Sequence, residues 1–205
     1  MNFTTRVSIP NSQHPLDYNS KIVSLGSCFA VNMGEKLDYF KFDNATNPFG
    51  IIFNPVSIEK LILRSVNQKK FTEEDLFFHN ERFHSYEVHS DLSSVNQQEL
   101  LNCLNTSLEF TYQKIKTATH ILITYGTSWV YQEKNSGAVV ANCHKMPQSH
   151  FDKHLLSVAT IEAAIQNTVD AIRKVNPNCS LVFTLSPVRH IKDGFVENQR
   201  SKAHL

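Results

Sequence analysis

The 205-residue sequence predicts an α/β domain with a mostly parallel sheet, and two patterns carry that expectation. Three short apolar runs, Lys21 to Leu25, His120 to Tyr125 and Ser180 to Leu185, each stop at glycine or small polar residues. Between them, apolar residues recur at helical spacing. Helices alternating with strands imply parallel pairing through right-handed crossovers. In such sheets ligands sit outside the carboxyl ends of the strands, so Ser27, Gly126 to Ser128 and Ser186 to His190 are expected to converge.

The elements follow in order. Lys21 to Leu25 reads as a strand stopped by Gly26, and Phe29, Met33, Leu37 and Phe40 then mark a helix. Asn44 to Phe53 is a connection rich in turn formers. It leads to Asn54-Pro55, an N-cap residue followed by proline at the first helical position, and a helix over about Pro55 to Val66. Phe71 to Ser94 has no clean helical period; its Glu81 to Val88 part suits a short strand or hairpin. Leu101, Leu104, Leu108 and Ile115 line one face of a long helix, and His120 to Tyr125 is a buried strand closed by Gly126. Ile161, Ile165, Val169 and Ile172 make a further helix ending near Asn176-Pro177, before the strand Ser180 to Leu185. Ser201 to Leu205 resembles the first turn of another helix.

A chain of this length, 41% apolar, can bury one sizeable core, so a single domain over residues 1–205 is expected. Lys and Arg (20) nearly balance Asp and Glu (19), which argues against a nucleic-acid or anionic-membrane partner. Residues 1–15 lack the basic and apolar regions of a secretory signal, and no apolar run approaches membrane-spanning length. The cysteines Cys28, Cys103, Cys143 and Cys179 are widely spaced, as suits free thiols in a reducing compartment. A cytoplasmic location is therefore expected; the oligomeric state is not legible.

Ser27 follows Gly26 at the start of a helix, where backbone N–H groups without intrahelical partners stabilise developing negative charge. That suits a nucleophile with half an oxyanion hole. It equally suits a plain N-cap. The letters around it are more specific. Gly26-Ser27-Cys28-Phe29-Ala30 resembles the signature of the GSCFA family, and four further blocks match in order. They are Asn47-Pro48-Phe49-Gly50 with Asn54 to Ile58, Thr124 to Tyr131, Asn142-Cys143-His144-Lys145, and Ser186-Pro187-Val188-Arg189-His190.

The resemblance implies a flavodoxin-like, three-layer α/β/α domain of the SGNH (GDSL-like) hydrolase type. Its reaction is hydrolysis of an ester, with an acylated carbohydrate as the analogous substrate, and neither metal nor organic cofactor. Ser27 would be the nucleophile. The N–H groups of Ser27 and Gly50 would bind the oxyanion, with Thr127 or Ser128 replacing the asparagine that SGNH enzymes carry in their third block. Asn47, Trp129, His144 and Arg189 would contact substrate. A serine needs a base, which the family pattern provides as Asp-x-x-His near its C-terminus. No Asp-x-x-His occurs here, so the sequence is expected to cover roughly the N-terminal two-thirds of the family domain. His190 is the internal candidate base. The competing expectations are a non-catalytic glycan- or peptide-binding module, or an inactive fragment of the hydrolase.

Other constellations carry bland readings beside sharp ones. Cys28 is a second nucleophile candidate or a small buried hydrophobe. His150 and His154 with Cys143 and His144 could gather around zinc, but such spacings arise readily among ten histidines. His79, His84 and His89 suit solvent or loop packing. Trp129 and Tyr131 could stack on a sugar, or Trp129 could cap the core at the start of a helix or loop.

Overall fold

The structure, a computed structural model, describes residues 11–189 and 191–205. Its central sheet has four parallel strands, β1 (Lys21–Gly26), β2 (Asp43–Thr46), β5 (His120–Tyr125) and β9 (Ser180–Leu185), in the order β2-β1-β5-β9. Ile22 to Gly26 pairs with His120 to Thr124, and His120 to Tyr125 pairs in turn with Ser180 to Leu185. Strands β1 and β5 are buried on both faces, which is why they read as continuous apolar runs. Two small antiparallel sheets complete the strands. One is the hairpin β3 (Phe77–His79) and β4 (Arg82–His84); the other is β7 (Val139–Val140), β6 (Trp129–Glu133) and β8 (Phe151–Leu155) in that order.

Helices cover both faces of the central sheet. Helix α1 (Cys28–Tyr39) packs on β1 and β2. Its buried residues are Ala30, Gly34 and Leu37, one step around from the expected stripe, leaving Met33 and Phe40 exposed. Gly34 is the physical reason: a Cβ there would lie 2.2 Å from Thr46 Oγ1, so the helix meets the sheet along its smallest side chains. On the other face lie α2 (Pro55–Val66), α3 (Gln97–Thr117) and α4 (Val158–Val175). Asn54, Asn96 and Ser157 cap them by accepting from Ser57 N, Glu99 N and Thr160 N. Val23, Leu25, Ile121, Ile123 and Tyr125 point into the core these helices enclose with Ile58, Ile62, Leu104, Ile115 and Ile172.

The expected strands and helices are present, and the last helix is longer than its expected first turn: α5 spans Phe195–His204. The segment after Gly126 is neither helix nor loop but strand β6, so Trp129 opens a strand. Among the described residues no helix is long and apolar enough to cross a membrane.

The chain leaves β1 toward β2 on one side and later inserts β5 on the other. The topological switch point therefore lies between β1 and β5, with Ser27 and Gly126 flanking it.

Candidate active site

The end of β1 is shaped by Gly26. Its φ is +126°, and a Cβ would lie 2.1 Å from Thr124 O, so the turn into α1 requires glycine. Asn47, itself left-handed with φ 44°, holds this residue from both sides. Gly26 N donates to Asn47 Oδ1 (2.7 Å), and Asn47 Nδ2 donates to Gly26 O (3.1 Å). The Asn47 amide thus serves the turn; its two polar atoms are both engaged there. Gly50 N donates to Asn47 O (2.8 Å) and closes the same turn.

Ser27 is the N-cap of α1, its Oγ accepting from Phe29 N at 3.3 Å. It is 0% exposed, and its N–H donates to Thr124 O (3.0 Å). Gly126 lies against it: a Cβ on Gly126 would stand 3.2 Å from Ser27 Cβ and 2.7 Å from Phe53 Cδ1. Phe53 O in turn accepts from Gly126 N and Thr127 N. In this conformation the N–H groups of Ser27 and Gly50 are therefore both committed to backbone carbonyls.

Thr127 and Ser128 face α5. Thr127 Oγ1 and Ser201 Oγ are 2.9 Å apart, Ser128 N donates to Ser201 Oγ (2.8 Å), and Ser128 Oγ donates to Ser201 O (2.9 Å). One residue on, the Lys202 ammonium reaches the strand ends, donating to Gly126 O (2.6 Å) and Ser186 O (2.8 Å). Burial lowers the Lys202 pKa from the usual lysine range, and the nearby Cys28 thiol opposes that shift. Cys28 is half-buried. Lys202 is the residue that sequence reasoning missed. No local signal marks it, because its position depends on how α5 docks across β5 and β9.

The cavity beside this junction, about 290 Å³, is lined by Phe53, Thr127, Trp129, Tyr131, Lys153, Lys192 and Asp193. The Lys153 ammonium lies 5.3 Å from the Trp129 ring centroid and 5.4 Å from that of Tyr131, and pairs with Asp193. Trp129 Nε1 donates to Glu197 O (3.3 Å), fixing the indole against α5. Aromatic faces flanked by cations and a carboxylate suit a polyhydroxylated ligand.

His144 is elsewhere. His144 is buried among Phe77, His84 and Tyr86, its Nε2–H donating to Ser85 O (2.8 Å). Burial pushes its pKa down to about 4, so the ring is neutral. Arg189 is exposed, its guanidinium carbon 5.7 Å from the Phe195 ring centroid. His190 lies outside the described residues. Among the described residues no three His, Cys, Asp or Glu side chains gather as metal ligands; His84 bonds Ser93 Oγ and His79 O instead.

The structure thus brings Ser27, Thr127 and Ser128 to one junction with Lys202, sets Trp129 at its mouth, uses Asn47 and Gly50 to build the turn beneath, and leaves His144 in a separate layer. No curated protein and no solved structure matches the chain. The family model of the GSCFA family matches residues 21–205, nearly the whole chain, and the protein belongs to that family.

Proposed function

We propose that this GSCFA protein is a serine hydrolase of SGNH type that cleaves an ester, with an acylated carbohydrate as the substrate class. The observation that carries this reading is the position of Ser27: at the carboxyl end of a central parallel strand, at the N-terminus of a 12-residue helix, and against Gly126 across the switch point. Ser27 Oγ bonds to the acyl carbon as its proton passes to a base. The carbonyl electron pair moves to oxygen, then re-forms the double bond as the protonated alcohol leaves. Water repeats the sequence on the acyl-enzyme and releases the acid. Within this sequence His190, four residues beyond Ser186, is the candidate base. The Trp129 and Tyr131 rings, next to Thr127 in the adjoining cavity, are suited to receive the sugar.

One observation favours a second reading. Ser27 is wholly buried and its hydroxyl caps the helix, so the site must open before an ester reaches it. A binding module would use the aromatic cavity and leave Ser27 as a cap. Turnover of p-nitrophenyl acetate and of acetylated xylo-oligosaccharides separates the two. The hydrolase reading expects turnover that Ser27→Ala reduces by about 10³-fold or more. Saturable oligosaccharide binding without turnover in the parent protein supports the module, and turnover unchanged by Ser27→Ala excludes Ser27 as nucleophile.

A further inference from the structure

We propose that the Lys202 ammonium is the oxyanion-stabilising group of this site, a role that rests on the serine-hydrolase reading above. The groups expected to fill it are otherwise engaged: Ser27 N on Thr124 O, Gly50 N on Asn47 O, and Thr127 and Ser128 on Ser201. The Gly126-Thr127-Ser128 block also carries no asparagine. Lys202 supplies a donor at this spot from another element. Its two bonds, to Gly126 O and Ser186 O, fix the nitrogen over the ends of β5 and β9. Gly126, whose carbonyl holds Lys202, is packed beside Ser27: a Cβ on it would stand 3.2 Å from Ser27 Cβ. The ammonium is therefore held at the two strand ends, on the carbonyl of the residue that packs beside Ser27.

An ammonium carries three donors, and the two carbonyls account for two. Among the described residues no carboxylate forms an ion pair with Lys202, although it is half-buried. A partly desolvated cation without a counter-charge is costly on its own and becomes favourable when negative charge develops beside it. When Ser27 Oγ adds to the acyl carbon, the carbonyl oxygen takes that charge, and the third N–H of Lys202 is the donor available to it. The alternative is that Lys202 only ties α5 to the strand ends.

The test compares labelling by a fluorophosphonate in the parent protein, Lys202→Gln and Lys202→Arg, with melting curves alongside. Gln keeps a hydrogen-bond donor and removes the charge, while Arg keeps the charge. The proposal expects Lys202→Gln to label about 10²-fold more slowly or worse, and Lys202→Arg to recover part of the rate. A folded Lys202→Gln that labels as fast as the parent makes Lys202 a structural tie and overturns the proposal. A second measurement uses Ser27→Ala with Lys202 intact, following the Lys202 ammonium nitrogen resonance as methylphosphonate is added. A saturable shift supports the contact even if Lys202→Gln does not fold; no shift overturns it. A parent protein that is not labelled, yet shows the methylphosphonate shift in Ser27→Ala, removes the serine reading and retains Lys202 as an anion-binding group.

Discussion

Asn47 and Gly26 form a closed pair in which one side-chain amide satisfies both backbone polar atoms of one residue, at 2.7 and 3.1 Å. The pair fixes the end of β1 immediately before Ser27, so the direction of Ser27 depends on a residue 20 positions downstream of it. Asn47→Ala leaves the Gly26 N–H without its partner inside the fold and is expected to cost about 1–3 kcal/mol. Gly26→Ala is expected to prevent folding, because its Cβ would collide with Thr124 O, a backbone atom with no freedom to move. Denaturant melts of the two variants check both outcomes.

Arg64 predicts a second large loss. Buried in α2, it bonds Asp75 (2.8 Å) and Glu87 (2.8 Å), with its guanidinium 4.2 Å from the Phe71 ring centroid. Arg64→Met retains much of the packing but takes the guanidinium from both carboxylates, leaving Glu87 with Lys60 (3.0 Å) and Asp75 with Thr72 N (2.8 Å), and a loss of about 1–3 kcal/mol is expected. Adding Asp75→Asn and Glu87→Gln to Arg64→Met should recover part of it. Urea unfolding of the single and triple variants measures the difference. Burial would raise the Asp75 pKa, but hydrogen bonds from Arg64 and Thr72 outweigh it and hold the carboxyl below its usual value of 3.8. This group's stabilisation is therefore present above the usual value and is lost as pH falls through its lowered pKa.

His144 gives a separate pH window. Desolvation holds its pKa at about 4 against an ordinary 6.5, with the Ser85 carbonyl opposing and the His84 and His89 charges adding to the depression. Above pH 6.5 the ring is neutral folded or unfolded, so its contribution is fully present. As pH falls from 6.5 toward 4 the unfolded chain takes up the proton and the fold does not. Stability should drop by about 3 kcal/mol over that range, then stop changing through this group. His144→Phe should flatten the slope between pH 6.5 and 4 while leaving the Asp75 loss below it. Chemical melts across pH 3.5–7.5 read both.

The sequence carried three of the parallel strands and the large helices because their signals are local: β1, β5 and β9 are apolar runs, and α2 announces itself by Asn54-Pro55, whereas β2, Asp-Asn-Ala-Thr, opens in the polar segment expected to be a connection. Strands β6 to β8 were not legible. Trp129 to Glu133 pairs with Phe151 to Leu155 some twenty residues on, and the Phe-Asp-Lys-His-Leu partner has no alternation to reveal it. The buried face of α1 is not legible in the sequence because Gly34, not a large apolar residue, makes the close approach. At the site, Ser27 was legible from its turn, whereas the engagement of Thr127 and Ser128 by Ser201 and the arrival of Lys202 depend on the docking of α5. His144 was legible as part of a motif but not as a buried, neutral ring, since its neighbours Phe77, His84 and Tyr86 come from a distant segment.

Peptide mapping after fluorophosphonate treatment reads whether Ser27 is a reactive nucleophile. The parent protein, Ser27→Ala and Cys28→Ala are compared under conditions where all three are folded. A single adduct on Ser27 is expected, retained in Cys28→Ala and absent in Ser27→Ala. An adduct on Cys28, or none on the folded parent protein, would rule out a reactive Ser27 and leave it as the N-cap of α1.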